Sequence, residues 1–492
     1  MTFTTLTFIL FLWLVFALYW TLRYRTAQNI LLIVASYSFY AWWDYRFCAL
    51  MLISSLIDYI AALSIDRSPK RGVRRAWMWV SVAMNLGMLG FFKYFNFFAE
   101  SFTAMMRSLG WEVGDVTLKI VLPVGISFYT FQTMSYTLDV YFGKMRATRR
   151  LIDYMAYVCF FPQLVAGPIE RATQFLPQFT APRTFDDAEA TDGCRQILWG
   201  FFKKMIIADR MAILVAKVYG SDGTGVTLDQ ASGPTVIFGT IAFAFQIYCD
   251  FSAYSDIAIG TAKLFGFRLM RNFAYPYFSQ SIRQFWQRWH ISLSTWFRDY
   301  VYIPLGGNRG SSRRLAINLM ITFIVSGLWH GASWTFITWG ALMGLAIVVS
   351  TWRARRAAAA GLAPADRSDT GPAGPRLMRM LCTFAVICLG WIFFRAPTMA
   401  SATAAVGRVF TDVCTLQGFD SCWELMRSNA GAMIFVLIPL LLAIEWVQRH
   451  RDHPLDVGTW PRWARWTLYT VVIWGIILWM PKVRAPFIYF QF

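Results

Sequence analysis

The chain has 492 residues, of which 57% are hydrophobic, 18% aromatic and 15% charged, and its mean hydropathy is +0.45. Soluble proteins carry about 25% charged residues, so this composition excludes the roughly three soluble domains that the length would otherwise suggest. The formal net charge is +19, yet nucleic acid is not the implied partner, because the basic residues gather in loops between apolar runs.

Those runs, each about 20 residues long, recur from end to end and suit helices that cross a hydrocarbon core. Their continuity argues for an all-α polytopic bundle over a β-barrel. Candidate spans are 4–21, 28–44, 47–64, 76–97, 119–141, 195–217, 233–250, 315–329, 332–351, 378–395, 431–447 and 465–482. The first has no preceding positive charge and no A-x-A site after it, so it reads as a span and not a cleaved signal. Basic clusters follow the odd spans: Arg23 and Arg25, then Arg67 to Arg75, Lys144 to Arg150, Arg268 and Arg271, and Arg353 to Arg356. Lys and Arg mark cytoplasmic loops, which puts both termini outside. Some of these charges can also attract an anionic substrate or membrane lipid.

The chain reads as one integral-membrane domain, 1–492. Its core is 1–352, and the segment 353–377, rich in Ala, Gly and Pro from 357 to 375, is expected to be a flexible cytoplasmic linker before C-terminal helices at 378–492. Two segments do not behave as spans. Residues 160–174 begin FFPQLVAGPIER, where Pro162, Gly167 and Pro168 break a helix and suggest a re-entrant turn. Residues 272–309 are too polar and interrupted to cross cleanly. Irregular backbone at membrane depth has to be enclosed by protein or line a cavity. The eight cysteines form no CxxC pair and no zinc spacing. Cys414 and Cys422 share a loop placed outside, where a disulfide could form, although single unpaired cysteines are the plainer reading.

Four histidines occur. His450 and His453 lie in a basic loop and read as solvated charge. His330 lies in SGLWHGASW, and no Asp, Glu, Lys or Arg occurs between Arg314 and Arg353. An ionisable group in such a stretch is costly and points to function, and histidine exchanges protons near neutral pH. At about 1.5 Å per residue the uncharged run is too long for one span and short for two. Two helices abutting at Gly327–Gly331 fit it. The plainer reading is a histidine hydrogen-bonded between packed helices. His290 lies in FWQRWHISLSTWFRDY. If that segment is one helix, Trp286, His290, Ser294 and Phe297 share a face, with Arg288 and Arg298 largely off it. An interfacial helix anchored by Trp and Arg is the alternative.

The third constellation is QIYCDFSAYSD at the end of a span. Tyr248, Ser252, Ser255 and Asp256 form a polar stripe, with Asp250 beside it, that should face the bundle interior; hydrogen bonding between helices is its plainer role. GGNRG lacks the GK[ST] ending of a P-loop. There is no G-x-S-x-G elbow, and no HExxH motif or other ligand set for a metal. Two histidines without an obvious nucleophile suit a general base acting on a hydroxyl that the substrate brings.

With these residues in view, the sequence resembles the membrane-bound O-acyltransferase family, and within it the bacterial alginate O-acetylase branch. The matching blocks are LPVGISFYTFQTMSYTLDVY, FFPQLVAGPIER, QIYCDFSAYSDIAIG, FWQRWHISLSTWFRDYVYIPLGGNRG and GLWHGASWTFITWG, with YSFYAWW, WIFFRA and the closing IYFQF. Cys249 stands where Phe is expected and Ala253 where Gly is expected; residues 396–430 match no motif. The resemblance implies about 11–12 transmembrane helices around a funnel or tunnel in the bacterial inner membrane. It implies acetyl-CoA as a cytoplasmic donor with no permanently bound cofactor, and His330 as the catalytic histidine with His290 assisting. It also implies an extracytoplasmic acetyltransferase partner that acetylates an exported polysaccharide.

On this reading Arg288, Arg298, Arg309, Arg313 and Arg314 are candidates to meet the CoA phosphates. Tyr248, Asp250, Ser252, Asp256, Ser294 and Trp329 are candidates to line the tunnel. The same fold acting on peptidoglycan, cellulose or, with D-alanine, teichoic acid is the near alternative. A proton-coupled transporter is the alternative from another class.

Overall fold

Helices account for the regular structure of the computed structural model, and no strand occurs among the described residues, which are 1–114, 117–220, 227–361, 373–413, 415–481 and 485–488. Among them, five helices are long and apolar enough to cross a membrane by length and composition: Arg46–Arg67, Gly233–Leu264, Trp334–Ala359, Ala373–Arg395 and Asn429–Val447. Several other expected spans are shorter or interrupted. Leu6–Thr21 has 16 residues. The run at 119–141 becomes helical only at Ile126. Wider turns, in which the backbone bonds skip one residue further, interrupt 76–97 at Gly90–Tyr94 and 195–217 at Lys203–Ala208.

The chain divides into two compact units. One comprises 1–197 with 254–270. Here Asp58 is fully buried on Arg46–Arg67. Ser81 and Asn85 donate to its carboxylate, Asn85 at 2.8 Å, and Thr137 donates at 3.3 Å. A buried acid is thereby satisfied by donors from two other helices, Arg71–Leu89 and Ile126–Tyr141. The FFPQLVAGPIER segment is buried from Phe160 to Glu170, and Arg171 is half-buried. Its turn depends on Gly167, whose added Cβ would lie 2.3 Å from the Cα of Gln163. The Phe161 amide donates to Ser36 Oγ at 3.0 Å, and Glu170 accepts from the Met270 amide at 2.6 Å. This irregular backbone is enclosed by protein.

The other unit comprises 198–253 with 271–492. Its centre is a helical hairpin, Ser312–His330 and Trp334–Ala359, joined at Gly331-Ala332-Ser333. This is the abutting pair expected around His330. Glycines let the two backbones touch: an added Cβ would lie 2.3 Å from the Phe336 carbonyl at Gly327, and 2.4 Å from the Phe323 carbonyl at Gly340. Ser333 caps the second helix by accepting from the Thr335 amide at 3.2 Å. That helix runs on to Ala359, and the next begins at Ala373. Residues 353–359 and 373–377, expected in a linker, are therefore helical; Ala and Arg are strong helix formers and dominate 353–359. Residues 362–372 lie outside the described residues. The expected loop 396–430 contains two helices, Met399–Thr411 and Leu416–Arg427. The question of a Cys414–Cys422 bond falls on Cys414, outside the described residues.

The hairpin contact yields a direct test. Gly340→Val should destabilise the protein by about 1–3 kcal/mol, because overpacking a tight contact forces backbone movement. Gly475→Ala, where an added Cβ meets nothing within 4 Å, should leave thermal unfolding in detergent unchanged. Equal melting of the two variants would remove the packing argument.

Candidate active site

His330 is the last residue of Ser312–His330 and is 5% exposed. Its ring sits among Trp329 at 4.9 Å, Trp339 at 5.0 Å and Phe394 at 5.3 Å between centroids. All three contacts are edge-on, the arrangement that aromatic quadrupoles favour. Gly331, next in the chain, lets the Phe336 ring approach, since an added Cβ there would fall 2.1 Å from it.

His290 belongs to the same unit and is 1% exposed. Its ring lies 4.6 Å from Phe251 and 6.1 Å from Trp329. Trp329 thus neighbours both histidines. The expected continuous helix through His290 is not formed. Ile282–Arg288 ends at Trp289, and Ile291–Phe297 starts afresh. His290 itself has φ 42° and ψ 56°, a left-handed conformation that costs a residue with a Cβ about 1–3 kcal/mol. The break separates Trp286 from the face that carries Ser294 and Phe297.

Asn272 braces this turn. Its carbonyl accepts from the Ile291 amide at 2.9 Å. Its side-chain oxygen accepts from the Ser292 amide at 3.2 Å and from Ser292 Oγ at 3.0 Å. The Ala274 amide donates to the Arg288 carbonyl at 2.9 Å. Ser294 is half-buried, and its hydroxyl turns back to the Trp289 carbonyl at 3.2 Å. Trp289 packs at 5.2 Å from Trp391.

The polar stripe is engaged in fixed contacts. Tyr248 donates to Glu445 at 2.6 Å. Asp250 pairs with Lys204 at 2.9 Å, and Ser252 accepts from Lys203 at 2.6 Å. Asp256 belongs to the other unit, where it accepts from Gln196 at 2.9 Å. Of the arginines, Arg298, Arg309, Arg313 and Arg314 are exposed and Arg288 is half-buried. Arg298 pairs with Asp299 at 2.7 Å.

Sequence reasoning missed Asn272, Glu445, Lys203, Lys204 and Trp339. Lys203, Lys204 and Glu445 could have been found, because each is an ionisable residue within an apolar segment. Asn272 carries no such signal. The loop histidines part company as well. His450 is exposed, but His453 is buried and not the solvated charge expected. Its loop folds back onto the protein: Leu455 and Val457 are buried, and Tyr275 donates to the Arg451 carbonyl at 3.3 Å.

The membrane-bound O-acyltransferase family profile matches residues 143–390, which include both central histidines. The chain is 42% identical to a probable alginate O-acetylase AlgI of Azotobacter vinelandii over 79% of this chain and 73% of that protein. It is 36% identical to a probable alginate O-acetylase AlgI of Pseudomonas putida over 98% of this chain and 99% of that protein. A peptidoglycan O-acetyltransferase of Helicobacter pylori is 34% identical over 80% and 74% of the two chains. The protein is a multi-pass membrane O-acyltransferase and belongs to the membrane-bound O-acyltransferase family.

Proposed function

We propose that this protein moves acetyl groups from cytoplasmic acetyl-CoA across the bacterial inner membrane for O-acetylation of an exported, alginate-like polysaccharide, with His330 as the general base and His290 assisting. The observation that carries the reading is the burial of two histidines that both pack against Trp329, one of them at the closed end of a helical hairpin in which residues 315–352 carry no Asp, Glu, Lys or Arg. A bulky polyanion such as CoA does not cross a bilayer, so a base at membrane depth lets thioester and acceptor approach from opposite sides. The similarity to two alginate O-acetylases, one over nearly the whole chain, favours that polymer over peptidoglycan.

In the proposed step the acceptor hydroxyl oxygen attacks the thioester carbonyl while His330 takes its proton. The tetrahedral intermediate collapses, the C–S bond breaks, and the CoA thiolate leaves and recovers the proton. An extracytoplasmic acetyltransferase would take the acetyl group onward to the polymer. The exposed arginines Arg298, Arg309, Arg313 and Arg314 are the proposed contacts for CoA phosphates, with the half-buried Arg288 beside them.

His330→Ala should lower transfer of labelled acetyl from acetyl-CoA by about 10²–10⁴-fold, the scale of a lost general base, in protein that still inserts and elutes as a folded species. Acetylation at the wild-type rate would sink the assignment. The same assay separates a transporter, which predicts flux without thioester turnover.

Charge reversal at Arg309, Arg313 and Arg314 together should raise the KM for acetyl-CoA about fivefold or more with kcat little changed, as expected for lost binding energy. Unchanged kinetics would remove the phosphate contact.

A further inference from the structure

A second cluster in the same unit lies behind His290 and is not used by the proposed chemistry. Lys204 is 9% exposed. Its ammonium group reaches Asp209 at 2.8 Å, Asp250 at 2.9 Å and the Ala485 carbonyl at 3.0 Å. An ammonium has three protons to donate, and here it meets three acceptors. Asp250 is 2% exposed; its second oxygen accepts from the Ile488 amide at 2.8 Å. The chain is therefore gripped at two points three residues apart, the Ala485 carbonyl and the Ile488 amide. Without this segment, one lysine proton and one carboxylate oxygen would be left buried and unmet, at a cost of about 1–3 kcal/mol each, and more for charged groups.

Between these two anchors lies Phe487, 6% exposed. Its ring packs edge-on against Phe251 at 6.0 Å. Phe251 is fully buried and packs edge-on against His290 at 4.6 Å. Asp250 and Phe251 are neighbours in sequence, so one turn of the helix Gly233–Leu264 carries both the anchor of the segment and the ring that touches the histidine. The His290 backbone is strained, and such a conformation persists where its surroundings over-determine it.

We propose that Phe487, clamped by Lys204 and Asp250, is a positioning residue that holds the His290 ring through Phe251. The inference rests on the reading of His290 as part of the catalytic site. It changes the role of Asp250 from a tunnel lining to the anchor of the segment that backs the site.

The experiment pairs kinetics with a probe of His290 itself. Phe487→Ala keeps both backbone bonds of the segment, so the protein should fold. Carbethoxylation by diethyl pyrocarbonate, read residue by residue by mass spectrometry, should become at least about fivefold faster at His290 as its enclosure loosens, with no change at His453. In acetyl transfer, kcat should fall about tenfold while the KM for acetyl-CoA stays within about twofold. Phe487→Tyr should restore both readouts. The double variant His290→Ala/Phe487→Ala should be no slower than His290→Ala alone, because the two residues act as one unit.

Unchanged labelling of His290 in Phe487→Ala, or additive losses in the double variant, would overturn the proposal. Full activity of His290→Ala would overturn the reading beneath it and the kinetic consequence. The labelling result would then still decide whether Phe487 positions the ring. Ile488→Pro, which removes the amide donor to Asp250, should reproduce the labelling change; protection equal to wild type in that variant would overturn the anchor.

Discussion

An ionisable side chain is tolerated inside an apolar bundle where its hydrogen-bonding capacity is met, and much of this molecule is organised by that demand. Asp58 draws donors from two other helices, and Lys204 draws three acceptors. Tyr248 and Glu445 meet across a separation of 197 residues. Each cluster ties together segments that sequence separates widely. Removing one partner of a buried ion pair costs about 3–5 kcal/mol, against a typical total stability of about 5–15 kcal/mol. These knots therefore select one packing of helices whose apolar faces alone would tolerate several. Lipid supplies no hydrophobic drive to discriminate among them.

The two central histidines are held by different means. His330 is placed by regular structure: it ends a helix, and glycines at 327 and 340 bring the next helix close enough to wall it with aromatic rings. His290 is placed by irregular structure. Its left-handed backbone is unfavourable alone, and three hydrogen bonds to Asn272 hold the start of the following helix. A turn of this kind can aim a ring where no helix register would point it. It also leaves that ring dependent on whatever packs behind it, whereas a helix-borne ring inherits its position from the whole hairpin.

The hairpin around His330 was legible because its signals are local: a long charge-free run, too long for one span, with glycines at the break. The enclosed turn at 160–174 was legible for the same reason, through Pro162 and Gly167. The break at His290 was not. Helical periodicity continues through Trp286, His290 and Ser294, and the group that overrides it, Asn272, lies well upstream with no pattern to mark it. The polar stripe on QIYCDFSAYSD announced a buried face but not its partners. Glu445 and Ile488 are 197 and 238 residues away in sequence, and no single-sequence pattern pairs residues at that range. His453 misled because composition reports that a loop is basic and not that it folds back onto the protein.

The family profile ends at residue 390, yet the contacts around the candidate site do not. Phe394, which walls His330, lies beyond it, as do Glu445, the acceptor for Tyr248, and Ile488, the donor to Asp250. A chain confined to 143–390 would keep both histidines and lose one wall of the first and the backing of the second. It would also leave the Tyr248 hydroxyl and one Asp250 oxygen without these partners, in surroundings where water is not at hand to replace them. The portion that carries the motifs is thus smaller than the portion that holds them in place. That the relative from Pseudomonas putida matches over 98% of this chain accords with a site whose supports extend well past its motifs.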